Sequence, residues 1–92
     1  MVTIRGIENA LEKAGFVFKS KRTISEAGEH YEFSVFEECF EDAAETLLIT
    51  VIYDFSREDG SSFVLTFKVT DTKTNKSSLV KLSDVMSYIQ GL

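Results

Sequence analysis

The feature that most constrains the fold is the stretch from Thr46 to Phe55, which is apolar on both parities of its alternation. One parity holds Leu47, Ile49, Val51, Tyr53 and Phe55, and the other holds Leu48, Thr50 and Ile52. Successive side chains of a β-strand point to opposite faces, so this stretch presents apolar groups to both sides of a sheet. Because both faces of such a strand need cover, we predict that it lies at the centre of a sheet.

Four other segments have the composition of strands that accompany this central one. They are Phe16 to Ile24, Glu29 to Glu37, Phe63 to Thr70 and the short Ser78 to Leu82. Polar turns are predicted between them at 25–29 and 71–76, with a hairpin loop at 56–62. Since no helical crossover separates the strands, hairpins are the shortest connections, and an antiparallel meander is expected.

Amphipathic helices are predicted at the two ends of the chain. In residues 3–14 the apolar residues Ile4, Ile7 and Leu11 recur at helical spacing, with Thr3 as a cap and Gly15 at the C′ position. The second helix is expected at 84–90, with Ser83 as its cap. We therefore predict one α+β domain over residues 1–92: a two-layer fold in which an antiparallel meander of four to five strands carries both helices on one face.

The segment between the second and the central strand has two interpretations. Its apolar residues at helical spacing are Phe36, Phe40, Ala43 and Leu47. This spacing predicts a short helix over residues 36–46, and a loop between two strands is equally compatible with it. In either case the pair Ala43-Ala44 disfavours a simple continuation of the strand.

Negative charge is concentrated in the middle of the chain. Residues 26–59 contain eleven acidic residues and one basic residue, Arg57, which gives a net charge of −10 within a chain of net charge −5. The densest cluster consists of Glu37, Glu38, Glu41, Asp42 and Glu45. These five residues are predicted to bind a basic protein surface, with an affinity that falls as salt is added. The alternative is a solvated face that keeps a small protein soluble.

Two short helices cover only one side of such a sheet, so the other side is expected to be exposed. We predict that it carries an apolar patch of Phe36, Leu48, Ile52 and Val64. A patch of this kind exceeds what most monomers expose and predicts a homodimer or a partner surface. The alternative is that the acidic segment or the twist of the sheet covers it.

Several kinds of chemistry are not expected. One cysteine, Cys39, and one histidine, His30, make neither a zinc site nor a recognisable catalytic set, and no phosphate-binding glycine motif is present. We predict no catalytic residues, no metal and no cofactor. The charge has the wrong sign for direct nucleic-acid binding. No apolar run is long enough to cross a bilayer, so we expect no membrane partner and a location in the cytoplasm, of a host cell if the protein is made there.

Three functions are compatible with these observations. The first is a small acidic, non-catalytic inhibitor that docks on a basic, nucleic-acid-binding protein surface, by analogy of composition with some phage and mobile-element proteins. The second is a structural homo-oligomer that associates through the exposed sheet face. The third is a small-ligand-binding domain or an enzyme, which requires a pocket.

Overall fold

The computed structural model describes residues 2–27, 32–54 and 62–92, with residues 25–27 and 32–34 described by their backbone alone. The elements in chain order are α1 (Ile4–Lys13), β1 (Phe16–Ala27), β2 (Glu32–Asp42), β3 (Leu47–Asp54), β4 (Val64–Asp71), β5 (Ser77–Leu79), a 3-10 turn (Leu82–Asp84) and α2 (Val85–Gln90). The strands pair in the order β1-β2-β3-β4-β5, and every pair is antiparallel. The predicted α+β meander is therefore confirmed. The predicted turn around Gly28 and most of the loop at 56–62 lie outside the described residues.

The central position of β3 follows from its apolar side chains on both faces. Ile49 and Val51 are fully buried and Tyr53 is 3% exposed, and these three side chains point towards the helices. Leu48 and Ile52 point the other way and are half-buried. The neighbouring strands β2 and β4 form backbone hydrogen bonds with the two edges of β3, so β3 has the central position that its composition predicts.

Both helices lie on one face of the sheet. Their buried residues join the strand residues of that face in a single core cluster, which includes Ile7, Leu11 and Ile89. The strand members of this cluster are Phe16, Phe40, Ile49, Val51, Tyr53, Val64, Phe67 and Val69. We call this the helix side. The opposite side, which we call the open face, has no layer of secondary structure over it in the described part of the chain.

The start of α1 agrees with its sequence signals, and the start of α2 does not. The Thr3 hydroxyl accepts a hydrogen bond from the Gly6 N–H at 3.2 Å, which satisfies one free donor of the first turn of α1. Gly15 follows α1 with a φ of 90°, the left-handed conformation that glycine adopts at low cost. The predicted cap Ser83 instead lies within the 3-10 turn, and α2 begins after Asp84 without a side-chain cap.

The interpretation of residues 36–46 as a helix or a loop is wrong for most of the segment. β2 continues to Asp42 because β1 and β3 both pair with it, and a tight turn follows before β3 begins at Leu47. Phe36 and Phe40 share a face because residues four apart are aligned in a strand as well as in a helix. The spacing therefore could not distinguish the two structures.

Cross-strand partners share a face, and the register therefore defines the membership of the open face. Its members include Val17, Arg22, Ile24, Val35, Glu37, Cys39, Glu41, Leu48, Thr50, Ile52, Thr66, Lys68, Thr70 and Leu79. Register shifts occur in β1 between Phe18 and Ser20, and between β3 and β4 beside Tyr53. Each shift changes which parity of the strand faces the helices.

Two predicted members of the exposed patch lie on the helix side. Phe36 is opposite Tyr53, and the two rings stack with their centroids 5.7 Å apart. Val64 also pairs with Tyr53 and is only 3% exposed. The prediction failed for Val64 because the register shift beside Tyr53 places it inward and leaves Leu65 51% exposed. Leu48 and Ile52 do lie on the open face, as expected.

Candidate interaction surfaces

The five predicted docking carboxylates do not form one surface. Glu37 and Glu41 project from β2 on the open face, where basic side chains of β1 neutralise them. The Arg22 Nε donates to Glu37 Oε1 at 2.9 Å, and Lys19 Nζ lies 3.7 Å from Glu41 Oε1. Hydrogen bonding and the charge of Glu37 raise the pKa of the exposed Arg22. These two carboxylates are occupied within the protein, which reduces their capacity to bind a partner's cations.

Asp42 and Glu45 belong to the turn between β2 and β3. The Asp42 carboxylate accepts hydrogen bonds from the backbone N–H groups of Thr46 at 2.7 Å and Leu47 at 3.0 Å, and also from the Thr46 hydroxyl. These bonds, with the Thr46 hydroxyl contributing most, hold the pKa of Asp42 below its usual value. Glu45 is exposed, has a φ of 58° and accepts a bond from the Thr72 hydroxyl through its carbonyl. Asp42 therefore stabilises a turn.

Glu38 lies on the helix side and is only 2% exposed. Its Oε2 accepts a hydrogen bond from the Tyr53 hydroxyl, whereas its Oε1 is buried and has no hydrogen-bond partner among the described residues. A buried carboxylate oxygen without a donor is costly, and a group that supplies a proton or a positive charge is expected beside it. Glu38 was predicted to lie on an exposed acidic surface, and its burial corrects that prediction.

The group beside Glu38 is Glu8 of α1. Burial first, and then a hydrogen bond and charge repulsion with Glu38, raise the pKa of Glu8 from 4.5 to about 7. Lys21 and Arg5 act in the opposite direction. Burial and the same two carboxylates also raise the pKa of Tyr53. A protonated Glu8 can donate to Glu38, so the pair holds one proton between helix and sheet below a pH of about 7.

The sequence contained one indication that Glu38 would be buried. Glu38 stands between Phe36 and Phe40 on the same parity, so any strand that buries both aromatic residues also buries the carboxylate between them. Glu8 gave no such signal, because it is one of several charged residues on an amphipathic helix.

The open face keeps an apolar character after the corrections. Leu48 and Ile52 are half-buried at its centre, and the exposed fractions of Val17, Ile24 and Leu79 are 56%, 37% and 70%. Cys39 also lies there, with its Sγ 3.9 Å from Thr50 Oγ1. The patch therefore differs in membership from the predicted one but remains on the same side of the sheet.

The described residues contain no group of three or more histidine, cysteine or acidic residues that could hold a metal ion. His30, the conceivable partner of Cys39 in nucleophilic chemistry, lies outside the described residues. Among residues 2–27, 32–54 and 62–92, none of the helices has both the length and the apolar character needed to cross a bilayer.

No family model, curated protein or solved structure matches this chain. The surfaces described above are therefore the basis on which a function is proposed.

Proposed function

We propose that this protein is a non-catalytic interaction protein that self-associates through the open face of its sheet. The observation that carries the proposal is that both helices pack on the helix side, so that Val17, Ile24, Leu48, Ile52 and Leu79 have no covering layer in the described part of the chain. Burial of such a face against a second apolar face is the usual way in which two sheets are stabilised.

The size of the open face suits a dimer. The strands contain 12, 11, 8, 8 and 3 residues. At about 3.3 Å per residue and about 4.8 Å between strands, one face of the sheet projects to roughly 650 Å². The accessible area of a face with side-chain relief exceeds its projection, so it approaches the roughly 800 Å² per partner of a stable interface.

The charges of the open face also favour a second copy over a strongly charged partner. Its described basic residues are Lys19, Arg22 and Lys68, and its described acidic residues are Glu37, Glu41 and Asp54. Arg22 and Lys19 bind Glu37 and Glu41 within the chain. Most of the charge is therefore balanced before association, and an identical face can approach without leaving a large uncompensated field.

The docking of the acidic segment on a basic surface has less support. Glu37 and Glu41 are ion-paired, Glu38 is buried and Asp42 caps a turn, so only Glu45 of the five extends as an exposed carboxylate without an ion pair among the described residues. An inhibitor of that kind would be held mainly by electrostatic attraction.

Light scattering over a concentration series tests the proposal. The wild-type protein should be a dimer at high micromolar concentration, and the Ile52→Lys variant should be a monomer because the lysine places a charge at the centre of the interface. Met86→Lys is the matched control, since Met86 is 37% exposed on α2, on the helix side. It should remain a dimer. A wild-type protein that stays monomeric throughout the series, or two variants that behave alike, would refute self-association through this face.

The dependence of binding on salt concentration distinguishes self-association through the open face from docking on a basic protein. Association through the open face should change little between low and high ionic strength, because it rests on apolar burial. Binding of a basic protein through exposed carboxylates should weaken steeply over the same range.

A further inference from the structure

A groove of about 400 Å³ runs between α1 and the edge of the sheet on the helix side. It is lined by Glu8, Glu12, Phe16, Val17, Phe18 and Phe40. One wall is therefore a helix with two carboxylates, and the other is formed by aromatic residues of β1 and β2. The groove lies on the helix side and shares one lining residue, Val17, with the open face, and peptide binding there does not require self-association.

The aromatic wall is incompletely covered. Phe16 and Phe40 are 7% and 4% exposed, whereas Phe18 is 51% exposed although it packs edge-to-face on Phe40 at 5.8 Å. An apolar side chain placed against Phe18 would remove part of this surface from water. β1 is also an edge strand of the sheet, so an extended segment beside it has backbone groups available for pairing.

The helical wall is suited to a positive charge. Glu8 and Glu12 are four residues apart on α1 and so lie on the same side of it. Behind Glu8 is the buried Glu38, whose negative charge also favours a cation beside Glu8. Carboxylates beside an aromatic ring are the combination that binds ammonium and guanidinium groups, through charge-assisted hydrogen bonds and cation–π contact.

We propose that this groove binds a basic segment of a partner polypeptide, which places a lysine or arginine beside Glu8 and Glu12 and a neighbouring apolar side chain against Phe18. The charged and titratable groups around Glu8 come from every element packed there: Glu38 from β2, Tyr53 from β3, Lys21 from β1, and Arg5 and Glu12 from α1 itself.

In the free protein, protonation of Glu8 competes with the binding of a partner's cation. The pKa of Glu8 is about 7 despite the attraction of Lys21 and Arg5, so roughly half of the molecules hold this proton at pH 7. A bound cation requires the ionised form and displaces the proton. If only that form binds, the affinity rises about tenfold between pH 6 and pH 8.

Titration of isotope-labelled protein, followed by nuclear magnetic resonance, tests the site with a blocked pentapeptide, Thr-Leu-Lys-Leu-Thr. A second peptide carries norleucine in place of lysine, which keeps the length of the side chain and removes its charge. The lysine peptide should shift the backbone signals of Glu8, Glu12 and Phe18 with a Kd about tenfold lower than that of the norleucine peptide. Equal affinities for the lysine and norleucine peptides would overturn the proposal, and so would signal shifts confined to other surfaces of the protein. Both results are obtained with the wild-type protein, so they do not depend on the folding of a variant.

Variants then assign the binding to Glu8. Glu8→Gln should weaken the lysine peptide about five- to tenfold at pH 8 and abolish the dependence on pH, since the amide does not titrate. Asp84→Asn removes an exposed carboxylate from the 3-10 turn, which packs beside β4 and not beside β1, and should bind like the wild type. The proposal fails if Asp84→Asn weakens binding as much as Glu8→Gln, or if the wild-type affinity is constant from pH 6 to pH 8. The monomeric Ile52→Lys variant should bind the peptide normally, which separates this site from the open face.

Discussion

The contact between Glu8 and Glu38 makes the stability of the fold depend on pH in an unusual direction. In the unfolded chain Glu8 titrates near 4.5, and in the folded protein burial and Glu38 raise its pKa to about 7. Between these values the folded state binds more protons than the unfolded state, so stability falls as the pH rises. The contribution of this proton is complete below pH 4.5 and is lost as the pH passes about 7.

The size of the effect follows from the shift. At about 1.4 kcal/mol per pH unit, a rise from 4.5 to about 7 corresponds to a maximum of roughly 3.4 kcal/mol. Glu8 is only half-buried, so screening by water reduces this figure to about 1–2 kcal/mol. The Glu8→Gln variant removes the titration and keeps a donor for Glu38 at every pH. It should therefore match the wild type near pH 5 and exceed it by about 1–2 kcal/mol at pH 8.

Urea denaturation of both proteins at several pH values between 5 and 8 provides the measurement. The comparison cancels the contributions of titrating groups that do not interact with Glu8, because the two proteins differ only at that residue. The expected difference in midpoint at pH 8 is about 1 M, for a slope of about 1–1.5 kcal/mol per M. Glu12→Gln, an exposed carboxylate of the same helix, serves as the control and should follow the wild type. The reasoning is refuted if the wild-type midpoint is flat or rises with pH, or if Glu8→Gln retains the wild-type slope.

Two further substitutions test the fold. Thr3→Ala removes the oxygen that accepts from the Gly6 N–H, and thermal unfolding should show a loss of about 1 kcal/mol, or about 4–8 °C in Tm, whereas Thr3→Ser should restore most of it. Ile7→Ala leaves a cavity where the side chain is fully buried, and chemical denaturation should show a loss of about 2–4 kcal/mol. Leu92→Ala, at a position that is 46% exposed and outside the open face, should cost less than about 0.5 kcal/mol, and a similar loss for Leu92→Ala and Ile7→Ala would contradict the assignment of the core.

Some parts of the structure depend on local patterns and could be predicted from the sequence. The segment from Leu47 to Tyr53 is apolar on both parities, and a strand of that composition has a stable place only between two others. The helix from Ile4 to Lys13 carries its own cap and apolar stripe, so its position depends little on the rest of the chain. Short polar turns between the strands then left a meander as the simplest topology.

The candidate sites depend on which face each side chain occupies, and here prediction was incomplete. Val64 was placed on the open face because alternation was extended along β4 without a break. Phe36 was placed there because the wrong parity of β2 was taken as inward, although the alternation of β2 itself is unbroken from Val35 to Glu41. The register shifts beside Phe18 and Tyr53 invert the parity locally, and nothing in the alternation of the neighbouring residues marks them. One displaced residue is enough to move every following side chain to the other side.

The sequence by itself determined the order of the elements, the central strand and the capped first helix, because each of these depends on residues that are close together in the chain. Only the tertiary structure decided that the acidic cluster is divided among two ion pairs, a turn and a buried site, and that Glu38 meets Glu8 across the two layers. The physical reason is that burial and charge compensation depend on cross-strand register and on the packing of α1 against β2, which bring together residues 30 positions apart.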